Sequence, residues 1–289
     1  MENVKETKHK WLKSHPVVYA LIVSVVSIGF LLVVGSLAQL ITALSIMIFR
    51  GSLGERSQSL VRISSGIGFL AYVLMLLLYW VIFRKKLQGF FHTRKLGMGI
   101  LLCWSVLAIN AVGFIMGMVE HMTYGNIATA LLLGVQPGVT EEIVFRVIPI
   151  SFAMKSRERE KLVMPIVVFT SVIFGLFHGI NIFAGAAPLT TLCQVLYAAA
   201  IGFLFAAIYI RTGNMWITMF LHSLTDVISC LGVDMQNSNG ILTQEVGLVS
   251  VMVLFGYAAL YFVNAFLVFR KNNRTEIPKT WEGIWKIQD

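Results

Sequence analysis

Long apolar runs separated by short basic or polar connectors set the pattern of this chain. A helix needs roughly 20 apolar residues to cross about 30 Å of hydrocarbon. Runs of that kind fall at approximately 17–47, 64–83, 97–119, 127–153, 162–182, 189–210, 215–232 and 246–269. They predict an all-α fold, a polytopic transmembrane helical bundle of about eight helices. The first run is over-long and is expected to tilt or to extend out of the bilayer. Its basic start resembles a signal peptide, but the apolar run exceeds a typical h-region, so it is read as a retained span.

The connectors orient the bundle. With the N-terminus in the cytoplasm, the inner segments hold Lys5, Lys8, Lys10 and Lys13, then Arg84, Lys85, Lys86, Arg94 and Lys95, then Lys155, Arg157, Arg159 and Lys161, then Arg211, and finally Arg270, Lys271, Arg274, Lys279 and Lys286. The outer loops keep only Arg50, Arg56 and Arg62. This bias predicts that both termini are cytoplasmic. The tail "KNNRTEIPKTWEGIWKIQD" mixes Trp281 and Trp285 with lysines and is expected to lie at the membrane surface.

Composition sharpens this picture. The chain is 57% hydrophobic and only 13% charged, where soluble domains carry about a quarter charged residues. Its net charge of +9 is accounted for by positive-inside connectors. Without a basic patch interleaved with aromatics, no nucleic-acid partner is expected. Cys103, Cys193 and Cys230 all lie in apolar runs and suggest neither a disulfide framework nor a thiolate metal site.

Ionisable groups at bilayer depth cost at least about 2.5 kcal/mol each, so they face a bundle interior or cavity and mark function by default. Within the apolar runs these are Glu141, Glu142, Arg146, His178, His222 and Asp226. In "QPGVTEEIVFR", Pro137 and Gly138 predict a helix break, Thr140 an N-cap, and the acidic pair a place at the start of the new helix. Glu142 and Arg146 are four apart and can pair. Glu141 is turned about 100° away and points elsewhere. In "FGLFHGIN", Phe174 and His178 share a face, with Asn181 beyond them, and Gly175 and Gly179 would allow close helix approach. In "FLHSLTD", His222 and Asp226 share a face. Each alone reads as packing glue. Together the carboxylates and imidazoles could deprotonate a water and hold an oxyanion. Alternatively Glu141, His178, His222 and Asp226 could ligate one divalent metal such as zinc.

"EEIVFR" matches E-E-x-x-x-R, "FGLFH" matches F-x-x-x-H, and "HSLTD" matches H-x-x-x-[N/D]. In this order, on successive apolar runs, the three motifs resemble those of the CPBP family of intramembrane proteases, the CAAX prenyl protease and bacteriocin-processing or immunity relatives also called the Abi family. The resemblance covers roughly residues 130–230. It implies a helical bundle with a membrane-embedded site, in which Glu141 activates water assisted by His178. Glu142 and Arg146 would support that site, and His222 and Asp226 would stabilise the oxyanion. The family has been described both as metalloproteases and as metal-independent glutamate proteases. Its enzymes on prenylated proteins typically carry Asn where this chain has Asp226. An ionised carboxylate cannot donate to an oxyanion. Asp226 therefore stays protonated, orients His222 or ligates a metal.

The expected organisation is N-terminal transmembrane helices without a readable motif over 1–125, a catalytic core over 126–235, and a last transmembrane helix with a cytoplasmic tail over 236–289. The expected activity is intramembrane hydrolysis of a peptide bond in a membrane-associated protein or peptide, of CAAX type or of leader or bacteriocin type. The expected setting is the bilayer of a bacterial plasma membrane. The alternatives are a non-catalytic bacteriocin-immunity or scaffold protein of the same fold, and a proton-coupled transporter.

Overall fold

The computed structural model describes residues 15–53, 95–120, 124–156, 158–231, 245–270 and 276–285, with a few isolated positions between 66 and 81. Every regular element among them is helical. In chain order they are α1 (Pro16–Leu53), α2 (Leu96–Leu102), α3 (Trp104–Glu120), α4 (Tyr124–Glu142), a π-helical segment (Ile143–Val147), α5 (Ile148–Met154), α6 (Arg159–His178), a 3₁₀ turn (Gly179–Ala184), α7 (Pro188–Thr212), α8 (Met215–Leu231), α9 (Leu248–Val268) and α10 (Glu276–Trp285). Each predicted apolar run overlaps helix, with 97–119 interrupted at Cys103; of the run 64–83 only isolated positions are among the described residues.

Among the described residues, Arg159–Phe183, Pro188–Thr212 and Leu248–Val268 are long and apolar enough to cross a bilayer. The pair α2 and α3 joins them if it forms one span, although it is bent by 68°. The bend falls at Cys103, where the helical ladder is interrupted. Helix α1 runs for 38 residues. At 1.5 Å per residue that is about 57 Å, well beyond the thickness of a bilayer core.

Small residues decide how closely the helices pack. A methyl group added to Gly134 or Gly138 would run into the backbone nitrogens of Val227 and Ser223. These glycines, four apart on α4, let the backbone of α8 lie directly against them. Gly175 does the same between α6 and α7, since an added Cβ would sit 2.6 Å from the Val195 carbonyl. Gly179 does not take part, as its nearest such neighbour is Val195 Cγ2 at 4.0 Å. Between α7 and α8 the chain turns at Gly213, whose φ of 66° suits a residue without a side chain. Asn214 Oδ1 then accepts from the Trp216 amide at 3.0 Å and caps the start of α8.

Around Pro137 the helix does not break. Helix α4 runs through it to Glu142. Thr140 is no N-cap: its hydroxyl donates to the Gln136 carbonyl at 2.9 Å. Ser223 Oγ on α8 donates to the Val135 carbonyl at 3.3 Å. Two carbonyls beside the proline, those of Val135 and Gln136, thus accept hydroxyls from α8 and from α4 itself. The acidic pair consequently ends α4 instead of beginning a helix. The irregularity comes just after it, where the Ile148 amide bonds back to Ile143 O and makes a π turn.

The tail helix α10 docks on the bundle. Trp281 is fully buried, and its indole donates to Ile210 O at 2.7 Å. Trp285 donates to Ser151 O at 3.1 Å, and Glu282 pairs with Arg159 at 2.6 Å. Lys95 donates to Thr280 at 2.9 Å, and Lys155 lies 5.0 Å over the Trp285 ring. The connectors before α2, after α5 and after α7 therefore meet around one amphipathic helix.

Candidate active site

All six ionisable residues singled out from the sequence come together where α4, α6 and α8 meet. The close approach of α8 to α4 sets this up. Ser223 and Val227 press on Gly138 and Gly134. His222 and Asp226 each precede one of them, so they are rotated about 100° off the contact. Both line a cavity of about 540 Å³ that Glu141 and His178 also line.

The two glutamates have different surroundings. Glu142 and Arg146 have no exposed side-chain surface and pair at 2.8 Å. The same Glu142 oxygen lies 2.9 Å from His222 Nδ1. Arg146 lies 3.7 Å over the face of Phe174, a position in which a cation gains from the ring quadrupole. Gly202 on α7 makes room for it, since an added Cβ would fall 2.6 Å from Arg146 Nη2. Glu141 and Asp226 keep 18% and 30% of their side-chain exposure. Their carboxylate oxygens lie 3.9 Å and 3.5 Å from His222 Nε2. One nitrogen of His222 is thus held by the buried pair, and the other faces two carboxylates at the cavity.

His178 is oriented from its own helix. Its Nδ1 lies 2.9 Å from the Phe174 carbonyl. A carbonyl only accepts, so Nδ1 carries the hydrogen, and in the neutral ring Nε2 is left as an acceptor. Phe174 is the hub of the cluster. Its ring centroid is 4.8 Å from that of His178, 5.7 Å from that of His222 and 5.3 Å from that of Phe145.

A zinc site needs several donors converging at about 2.0–2.3 Å on one point. Among the described residues no group of three or more His, Cys, Asp or Glu side chains is arranged to hold a metal ion. The cluster as placed does not fit a metal. The three cysteines are free thiols.

Sequence reasoning missed several residues at this site. Gln136 and Gln194 line the cavity, as do Leu31, Leu32, Gly35 and Ser36 of α1. Nothing local marks Gln194 or the α1 residues, because they come from helices distant in sequence, whereas Gln136 lies on α4 five residues before Glu141. The G-x-x-x-G spacing of Gly134 and Gly138 was a signal available in the sequence.

The described residues define a multi-pass helical membrane protein with a carboxylate–histidine cluster lining a cavity. Residues 123–228 match the family model described as type II CAAX prenyl endopeptidase Rce1-like. That stretch contains all three motifs and agrees with the CPBP resemblance. No curated protein and no solved structure matches the chain.

Proposed function

We propose that this chain is an intramembrane endopeptidase in which Glu141 is the general base. The observation that carries this reading is the division of labour between the adjacent glutamates. Glu142 is committed to Arg146 and His222, whereas Glu141 has one oxygen 3.9 Å from His222 Nε2 and lines the cavity. A water in that cavity gives a proton to Glu141 and attacks the scissile carbonyl carbon. His178 Nε2 accepts the water's other hydrogen as a hydrogen bond and orients it. His222, with Nδ1 on Glu142 and its ring protonated, donates through Nε2 to the oxyanion. The carbon–nitrogen bond then breaks, and Glu141 returns its proton to the leaving amine.

Asp226 fits the orienting role better than the oxyanion role. An ionised carboxylate 3.5 Å from His222 Nε2 stabilises the protonated ring but has no hydrogen to give. The site lies within the bilayer of a plasma membrane, both termini are cytoplasmic, and the substrate is a membrane-associated protein or peptide. The test is comparative membrane peptidomics of cells carrying wild type or Glu141→Gln. Peptides that appear with wild type and vanish with the variant are the expected result. An unchanged peptide set would remove Glu141 as the base.

A further inference from the structure

Of the three amide side chains that line the cavity, Gln136, Asn181 and Gln194, none enters the proposed reaction, and two are bonded to each other. Asn181 lies on the 3₁₀ turn after α6, and Gln194 on α7. Asn181 Nδ2 donates to Gln194 Oε1 at 2.8 Å, and both side chains line the cavity alongside Glu141, His178, His222 and Asp226. Both are half-buried. The bond between them uses one hydrogen of Asn181 and one lone pair of Gln194. Asn181 Oδ1 and the Gln194 amino group take no part in it. Reversing both amides together keeps the bond and still leaves the pair with a donor and an acceptor to offer.

A donor and an acceptor side by side match the main chain of an extended peptide, which presents a carbonyl and an N–H along its edge. Within the ionisable cluster, neutral groups suited to that edge are scarce. The carboxylates accept only, and His222 is engaged with Glu142. We infer that the Asn181–Gln194 pair is a substrate-positioning site: the Gln194 amino group donates to a backbone carbonyl and Asn181 Oδ1 accepts a backbone N–H, holding the strand beside Glu141. The recognised feature is the peptide backbone and not a side chain, so the pair sets register without restricting sequence. Gly175 supports it, because the contact of that glycine with Val195 brings α6 onto α7 one residue from Gln194.

This inference rests on the peptidase reading, and the experiment separates the two. The full chain is reconstituted in liposomes of phosphatidylethanolamine and phosphatidylglycerol. The probes are quenched fluorogenic peptides built on cleavage sites found by the peptidomics above, each also made with one backbone amide replaced by an ester. Gln194→Leu and Asn181→Leu are expected to raise KM about tenfold with kcat changed less than about twofold, the pattern of lost uniform binding. One ester position is expected to weaken cleavage by wild type and to have no further effect in Asn181→Leu. The double variant Asn181→Leu/Gln194→Leu leaves neither amide unpaired. It is expected to melt like wild type and to keep the KM defect, which a purely structural pair would lose. Unchanged KM in both single variants, or ester effects that add in every variant, would overturn the inference and leave the peptidase reading intact. Absence of cleavage by wild type over the whole probe set would overturn both.

Discussion

His222 Nδ1 lies 2.9 Å from the Glu142 oxygen that also receives Arg146 at 2.8 Å, so one buried carboxylate joins two helices and fixes one face of the imidazole. The bond crosses 80 positions of sequence. In the proposed reaction Glu142 is then a positioning residue, while the neighbouring Glu141 lines the cavity.

Glu142→Gln is accordingly expected to destabilise the protein by about 3–5 kcal/mol, because it strands a guanidinium with no exposed surface. Thermal unfolding in detergent measures this. Glu142→Gln/Arg146→Met, which removes both charges, is expected to recover most of the loss. Glu141→Gln, facing the cavity, is expected to melt within a few degrees of wild type while abolishing cleavage.

Gly138→Ala is expected to cost about 1–3 kcal/mol by overpacking, since the new methyl group meets the backbone of Ser223 as well as its Oγ, and the backbone cannot swing aside. Gly134→Ala, against Val227, behaves alike. Gly179→Ala serves as the comparison. Its nearest neighbour at 4.0 Å is an ordinary contact, so the same unfolding assay is expected to show a change within about 0.5 kcal/mol.

Trp281→Ala is expected to release α10. The side chain is fully buried and donates to Ile210 O, and such truncations cost about 3–5 kcal/mol. Hydrogen exchange over 276–285 is expected to rise to the rate of an unstructured tail. Glu282→Gln removes only the part-exposed pair with Arg159. It is expected to change the exchange by less than about 1 kcal/mol equivalent.

Lys161→Cys tests the orientation. Its side chain is 77% exposed at the start of α6. In right-side-out vesicles a membrane-impermeant maleimide is expected to spare it until the membrane is opened. Labelling of sealed vesicles would reverse the proposed topology.

The sequence alone determined what depends on neighbours one or two helical turns away. Apolar runs marked the helices because a bilayer-length helix needs a bilayer-length run. The spacing of four in Glu142–Arg146, Phe174–His178 and His222–Asp226 placed each pair on a shared face, since a helix brings i and i+4 together. The same local logic misread Pro137, expecting a break and a cap where α4 continues. Local propensity could not see Ser223 of α8 donating to the Val135 carbonyl from outside the helix. Spacing alone already set Glu142 on Arg146 and turned Glu141 elsewhere; only the tertiary structure showed that His222 meets Glu142 through Nδ1, because that depends on Gly134 and Gly138 letting α8 close on α4. It also decided that Leu31 and Ser36 of α1 and Gln194 of α7 share a cavity with the charged groups. Those contacts join helices far apart in the chain, and such encounters are fixed by how side chains fill space between helices, which no spacing along one helix records.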